Sequence, residues 1–506
     1  MIESLHKISM VDNEPEPEPD EVGRTSEGAS HLRRYPAYKD SGVPWLGEIP
    51  AHWSVERAKW LFERMQRTVS PSDETVTCFR DGMVTLRKKR RTSGFTESLK
   101  EIGYQGVRHG DLVIHAMDAF AGAVGVSDSD GKCTPVYSVC QPKRNANVYY
   151  YAHVVREMAR TRYIEALARG IRERSSDFRF EMFAAQEIPV PPPDEQRAIA
   201  RFLEAIDRLT RRYINAQRRL IALLTEQKQA LIQQAVTRGL NPHAPLKDSG
   251  IEWLGEIPAH WEVKRLRHLG EAIIGLTYAP NDVVGKDEGV LVLRASNVFN
   301  GRIILEDCVF VKREIPERLI VREGDILVCS RSGSRALIGK NAQINKEIAG
   351  VTFGTFMTVF RSQFNDYLFW VFNSKLFEHQ SGAFLTSTIN QLTIGDFYGF
   401  KIPMPPEQEQ IAVIQYLKEA AAGLDTAITR TQRQIDLVRE YRTRLIADVV
   451  TGKLDVRGVE VGRTSESASH LASHLASHLA SHLDLEDETD FAEAEEITPD
   501  EEALNE

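Results

Sequence analysis

Two long stretches of this chain carry a narrow apolar stripe. Between Glu195 and Arg238 there is no glycine or proline, and Ile199, Phe202, Ile206, Leu209, Tyr213, Ala216, Leu220 and Leu223 recur at alternating spacings of three and four. That pattern predicts a helix of 44 residues, roughly 66 Å long at about 1.5 Å per residue, with an a/d seam that calls for a helical partner. Asp194 suits its N-cap and Gly239 its C-terminal stop. A second stretch repeats the pattern with Ile414, Leu417, Ala421, Leu424, Ile428, Thr431, Ile435, Val438, Arg442 and Leu445. Its one glycine, Gly423, costs about 1 kcal/mol of helix propensity. Each helix could simply lie on its own domain, but two equally long helices with narrow seams favour mutual pairing as an antiparallel coiled coil.

Ahead of each helix the pattern changes to short apolar strands between turn residues. Gly110-Asp111 leads into Leu112-Val113-Ile114-His115, and Gly324-Asp325 leads into Ile326-Leu327-Val328-Cys329, 214 residues on. Ile188-Pro189-Val190-Pro191-Pro192 with Glu195-Gln196 returns at the same offset as Ile402-Pro403-Met404-Pro405-Pro406 with Glu409-Gln410. A lead-in segment from Lys39 to Trp53, containing Trp45-Leu46-Gly47-Glu48-Ile49-Pro50-Ala51-His52-Trp53, returns from Lys247 to Trp261 at an offset of 208. A period of that size is a duplicated domain rather than a solenoid repeat. The two offsets place a six-residue length difference between about residues 62 and 107. The proline clusters are expected to close each globular part, because proline lacks the amide that a strand or helix interior uses.

The expected fold is mixed α/β (α+β): two pseudo-repeated globular domains at residues 38–193 and 246–407, each followed by a long helix, at 194–245 with its linker and at 408–456. Residues 1–37 and 457–506 have the polar, acidic composition of disordered tails. The second tail holds Ser-His-Leu-Ala units in which His470, His474, His478 and His482 would share one helix face; slippage of a short coding repeat explains the identical units more simply than metal capture.

Charge changes the picture once it is divided. The formal net charge is −9, but residues 1–30 carry −6 and residues 461–506 carry −12, so the body between them carries +9. A basic body is compatible with a polyanion partner. No run of 18 apolar residues or basic-then-apolar leader is present, which predicts a soluble, cytoplasmic protein. The five cysteines are scattered without a C-x-x-C pair, so reduced thiols and no zinc site are expected.

Catalytic motifs do not emerge. Gly333 to Asn341 has five residues between its glycines and Asn341 after Lys340, where a phosphate-binding loop needs four and a hydroxyl residue. There is no G-x-S-x-G, no H-E-x-x-H and no Asn/Asp-Pro-Pro-aromatic tetrapeptide, so no catalytic residue and no metal ligand is assigned. Basic groups remain as candidates for DNA binding: the run Arg87, Lys88, Lys89, Arg90 and Arg91; then Arg172, Arg174 and Arg179; then Arg331, Arg335 and Lys340, with Asn390 further on. Such cations contact phosphates or simply face solvent, while Arg on guanine and Asn on adenine are the usual base readers. Trp45, Trp53, Trp253 and Trp261 either anchor each domain's core or meet a partner. Glu195, Gln196, Glu409 and Gln410 are either subunit-docking residues or first-turn groups that offset the helix dipole.

The twin lead-in segments, the twin Ile-Pro-x-Pro-Pro…Glu-Gln segments and the helix ends Val236-Thr237 and Val450-Thr451 resemble the specificity subunit of type I restriction-modification enzymes, over about residues 38–456. The resemblance implies a non-catalytic chain with two target-recognition domains, each reading part of a split, asymmetric double-stranded DNA target, and a helical ruler between them. It implies two modification (methyltransferase) subunits and restriction/translocase subunits as partners. The chain itself would hold no cofactor, the complex using S-adenosylmethionine, ATP and Mg2+ through those subunits. Two rival readings stay open: a specificity subunit for a fused methyltransferase-nuclease system, and a coiled-coil scaffold that binds no DNA.

Overall fold

The computed structural model describes residues 33–90, 101–167, 177–383 and 391–459. They divide into two compact units, one built from residues 33–209 with 440–459 and the other from 210–439. Each unit therefore holds one globular domain and a share of both long helices. Arg91, Arg172, Arg174, Asn390 and the histidine array lie outside the described residues.

In the first unit a hairpin, Tyr38–Asp40 with Glu48–Pro50, opens the domain. Strand Ser54–Arg57 then pairs with Glu187–Val190 and so joins the beginning of the domain to its end. Between them lies a four-stranded antiparallel sheet in the order Phe62–Arg64, Tyr137–Pro142, Leu112–His115, Val124–Val126. One core joins Ile49, Trp53, Phe62, Leu112, Ile114 and Tyr151 to Ile199, Phe202 and Ile206 of the first long helix and Leu445, Val449 and Val450 of the second. The other face of the sheet packs Val113 and Val139 against Val76, Cys78 and Val84 of the hairpin Val76–Cys78/Val84–Leu86.

The second unit repeats the frame. Leu246–Asp248 pairs with Glu256–Pro258, and Glu262–Arg265 with Lys401–Met404. Its sheet runs Glu271–Ile274, Met357–Arg361, Ile326–Cys329, Asn341–Gln343 in the corresponding order. Where the first unit has short hairpins, the second carries a further four-stranded sheet, Val283–Val284, Val309–Val311, Val290–Leu293, Thr352–Phe353, whose last pairing is parallel.

The proline segments behave differently from expectation. Pro189 and Pro403 lie inside strands, opposite Val55 and Val263. Each sits in a two-stranded ribbon, where a missing amide can face away from the partner. The chain turns only after Val190 and Met404.

The long helices span Pro193–Arg238, 46 residues, and Glu407–Val450, 44 residues. The first begins one residue before the expected cap. Pro193 takes the first helical position, where its missing N–H is not needed, and the Pro192 carbonyl accepts from the Gln196 amide at 3.0 Å. Gly239 does end it, in left-handed backbone at φ 71°.

Every expected seam position of the second helix is buried or half-buried. In the first helix the seam drifts: Ala216, Leu220 and Leu223 are exposed, and one continuous line of covered positions runs 199, 202, 206, 210, 213, 217, 221, 224, 228, 232, 235. That series repeats every eleven residues, about 3.67 per turn, which follows a straight helix better than a strict seven-residue pattern does. The helices run antiparallel. In the first unit Arg442 pairs with Asp207 at 2.7 Å; in the second, Tyr213 donates to Gln434 at 3.4 Å and Lys228 pairs with Asp425 at 2.7 Å.

The Gly-Asp pairs at offset 214 have the same job in both sheets. Asp111 accepts from the Arg108 amide at 2.7 Å, and Asp325 from the Arg322 amide at 2.8 Å, which closes the turn before the central strand. Each buried carboxylate also holds a two-pronged arginine, but from a different element: Arg67 follows the first strand of one sheet, whereas Arg361 ends a middle strand of the other. Asp111→Ala or Asp325→Ala, which strands the arginine and frees the turn amide, should each cost about 1.5–3 kcal/mol, read by chemical denaturation. Wild-type stability in both variants would make the pairs ornamental.

Candidate nucleic-acid interface

The duplicated motif residues converge on one carboxylate in each unit. Glu195, in the first turn of its helix and only 3% exposed, accepts from Trp53 Nε1 at 3.0 Å, from the Tyr35 hydroxyl, and lies 2.9 Å from His52 Nε2. Glu409 accepts from Trp261 Nε1 at 2.8 Å and lies 2.8 Å from His260 Nε2. Burial, together with the carboxylate it faces, pushes the Tyr35 hydroxyl well above its ordinary range and keeps it a donor. The Gln neighbours bind inward too: Gln196 donates to the Pro191 carbonyl and Gln410 to the Pro405 carbonyl, both at 2.8 Å.

The same indoles cover the opposite helix ends. A Cβ on Gly452 would lie 3.0 Å from Trp53 and 2.4 Å from Pro50, and one on Gly239 would lie 3.1 Å from Trp261. Both glycines have positive φ, 80° and 71°. Each tryptophan thus ties the start of one helix to the end of the other, inside its own unit. Tyr150 and Tyr367 add hydroxyl bonds to the Val450 and Val236 carbonyls. The docking reading of Glu195 and Gln196 gives way accordingly, because both side chains are buried and committed to internal partners; Glu409 and Gln410 make matching bonds with more exposure.

The first tryptophan of each lead-in segment sits on a short helix. Trp45 packs against Tyr163 of Tyr163–Leu167 at 6.0 Å, and Trp253 stacks on His379 of Lys375–Ala383 at 4.7 Å.

The basic candidates separate into paired and unpaired groups. Arg87–Lys89 forms one 3-10 turn after the hairpin. Arg87 donates to Thr77 Oγ1 at 3.2 Å, Lys88 pairs with Glu74, Lys89 lies 3.7 Å from Asp128, and Arg90 pairs with Asp81 at 2.6 Å while covering the Phe79 ring. That ion pair holds the Asp81 carboxyl below its usual range. Arg179 pairs with Asp177 at 2.6 Å. In the second unit Arg331, Arg335 and Lys340 share the loop between strands Ile326–Cys329 and Asn341–Gln343. Arg335 donates to the Gly382 carbonyl at 3.2 Å. Among the described residues no carboxylate is paired with Arg331; its guanidinium lies over the Phe356 ring, 5.3 Å from the centroid.

Around Arg331 three segments are knotted by main-chain bonds. The Phe356 carbonyl accepts from the amides of Ser330, at 3.0 Å, and Arg331, at 3.1 Å, and from the Ser330 hydroxyl at 3.2 Å. The Ser330 carbonyl accepts from the Leu392 amide at 2.8 Å. The first unit keeps two of these main-chain bonds: the Ala116 amide donates to Val136 at 3.0 Å, and the Phe178 amide to Ala116 at 3.1 Å. Ala116 and Ser330, like Phe178 and Leu392, are 214 residues apart, so Met117 stands where Arg331 stands and Val136 where Phe356 stands. Met117, Val136 and Phe356 were missed by looking for charge; carrying the Gly-Asp offset six residues further along would have lined up Met117 with Arg331.

The geometry defines a double-headed chain in which one clasped frame is built twice and presents unlike loops. Residues 109–221 and 258–435 match the type I restriction modification DNA specificity domain, and the chain belongs to the family of type I restriction-modification specificity subunits. It is 26% identical over 289 residues to the type I restriction enzyme MjaVIII specificity subunit of Methanocaldococcus jannaschii, covering 55% of this chain and 64% of that one. It is 27% identical over 207 residues to the EcoKI specificity subunit of Escherichia coli, covering 40% of this chain and 44% of that one. The chain thus spans 64% and 44% of the lengths of these two relatives. A chain solved in work on complex assembly and conformational transition of the type I R-M system shares the fold, with a TM-score of 0.57 at 16% identity over 80% of this chain and 99% of that one. No helix of the described residues is long and apolar enough to cross a membrane, and among them no group of three or more His, Cys, Asp or Glu side chains is placed to hold a metal ion.

Trp53→Phe removes a donor from a buried carboxylate together with the outer edge of the indole, whose Cη2 faces Gly452. It should lower stability by about 1–3 kcal/mol, and Trp261→Phe by less, because water can reach Glu409. Thermal melts of the two variants check the order; an unchanged melt for Trp53→Phe would remove the clasp from the account.

Proposed function

We propose that this chain selects the DNA sequence on which a restriction-modification complex acts, and performs no chemistry itself. Each globular domain reads one half of a bipartite target. The antiparallel helices serve as the spacer between the two half-sites. Because the loops on the two frames differ, the half-sites differ, and the target is asymmetric. The observation that carries this reading is the pair of main-chain knots: two corresponding bonds, the first from the Ala116 or Ser330 amide and the second to that residue's carbonyl, recur in both units beside exposed side chains of different chemistry.

Partner subunits supply the rest. Two modification subunits bring S-adenosylmethionine and methyl transfer, and restriction subunits bring ATP hydrolysis, Mg2+ and cleavage. Leu220 and Leu223, 42% and 51% exposed on the first long helix, support docking on that helix, since apolar side chains grouped at a surface commonly meet a partner. The paired cations of the 87–90 turn suit a subsidiary role at the DNA backbone: phosphates would displace Glu74, Asp128 and Asp81 from Lys88, Lys89 and Arg90, so each contact gains little net charge.

Expressing the chain with its modification subunit in a methylation-free host, and sequencing that genome for modified bases, should return a split, asymmetric motif with a fixed spacer. No motif from an active, assembled methyltransferase would favour a scaffold that does not read DNA. Lys88→Gln with Lys89→Gln should weaken DNA binding by a similar factor on every sequence and reduce the salt slope by about 1 for each lost phosphate contact. An unchanged slope would make that turn plain surface.

A further inference from the structure

Arg331 combines three features that point to a base rather than a phosphate. It is exposed, and no carboxylate among the described residues is paired with it. Its side chain rests on Phe356, itself 54% exposed. Its backbone is pinned: the Phe356 carbonyl takes three hydrogen bonds from Ser330 and Arg331, Thr358 Oγ1 adds a bond to Ser330 Oγ at 3.0 Å, and Gln391 forms a β-bridge with Arg331 from the far side. A phosphate contact tolerates a wandering side chain. A bidentate base contact needs the guanidinium held in place, and stacking on an anchored ring reduces the entropy that holding it would cost.

The first unit presents the contrasting chemistry on the same scaffold. Met117, 48% exposed, occupies the register of Arg331, and the half-buried Val136 that of Phe356. A thioether has no N–H with which to meet a guanine edge. Its polarizable, flexible methyl end suits apolar contact, which in the major groove means the thymine methyl group.

We infer that the knot carries the principal base-reading position of each domain, with Arg331 stacked on Phe356 selecting a guanine in one half-site and Met117 selecting a thymine in the other. This rests on the DNA-recognition reading above and adds to it the residues and the bases.

The test uses the full chain assembled with its modification subunit, as wild type and as Arg331→Ala, Arg331→Lys and Met117→Ala. Methylated motifs are mapped in the host, and binding is measured by competition against duplexes altered at single base pairs of the wild-type motif. Arg331→Ala should leave one half-site and the spacer unchanged and make one G·C pair of the other half-site degenerate, with discrimination there falling roughly 5- to 150-fold. Arg331→Lys keeps the charge and the aliphatic stem but loses the fork. It should retain overall affinity and still lose discrimination at that same pair. Met117→Ala should relax a single A·T pair in the opposite half-site.

The knot is made of main-chain bonds, so melting temperatures should stay at wild type. If Arg331→Ala weakens binding equally on all sequences while the motif stays intact, or if Arg331→Lys discriminates like wild type, Arg331 touches phosphate and the proposal fails. No change at any position in Met117→Ala overturns the assignment of thymine. A wild-type complex that yields no motif at all defeats the recognition reading itself, an outcome distinct from failure of these residues.

Discussion

A buried carboxylate at the first turn of a helix needs donors, and in this chain the main donor is an indole. Glu195 would cost several kcal/mol to bury without partners; Trp53, Tyr35 and His52 satisfy it, and the helix start favours its charge. The same indole lies against Gly452, beyond the end of the other long helix, where a Cβ would crowd it at 3.0 Å and collide with Pro50. One side chain therefore sets where one helix begins and where the other stops. Trp261, Glu409 and Gly239 repeat the arrangement in the second unit. Each domain's core then closes over helical segments already in register: Ile199 and Phe202 with Leu445 and Val449 in one unit, Val413 and Leu417 with Ile232 and Val236 in the other.

This division of labour separates stability from recognition. Substitutions at the clasp or at Asp111 and Asp325 disturb buried, charged hydrogen bonds, the short list of changes that cost a domain most. Substitutions at the exposed ends of the knots change side chains whose backbone is held independently of them. Met117 and Arg331 could hardly differ more in chemistry, yet the amide just before each, of Ala116 or Ser330, makes the corresponding bond in both units. A frame of this kind can accept new surface chemistry at small cost to folding.

The frame was legible in the sequence because it is written twice. The offsets of 208 and 214, the two helices and the second seam all follow from residue spacing. What Glu195 does was not legible, since a first-turn acid serves a helix dipole, a partner or a buried donor equally well, and only burial decides. The first seam drifted because 3.5 and 3.67 residues per turn differ by too little to separate over three heptads of sequence, though over the length of the helix the difference moves Leu220 and Leu223 into solvent. The arginine partners of Asp111 and Asp325 come from different elements, one from the segment after a strand and one from a strand end, so no offset could pair Arg67 with Arg361. The basic run looked like free charge because its acids, Glu74, Asp81 and Asp128, lie in other turns.

That pairing bears on how affinity and specificity are balanced. A cation already neutralised by its own domain gains little by exchanging one anion for another, so in the proposed role the turn at 87–90 would add less to general DNA affinity than its four consecutive charges suggest. In the proposed role at a base, Arg331, paired with no carboxylate among the described residues and braced on an aromatic face, would forfeit no such partner. Weak general contacts with a few fixed, unneutralised readers raise the ratio of specific to nonspecific binding, and that ratio is the quantity a specificity subunit has to deliver in a genome full of competing sites. With separate cores in the two units, a change of exposed side chain on one leaves the packing of the other untouched.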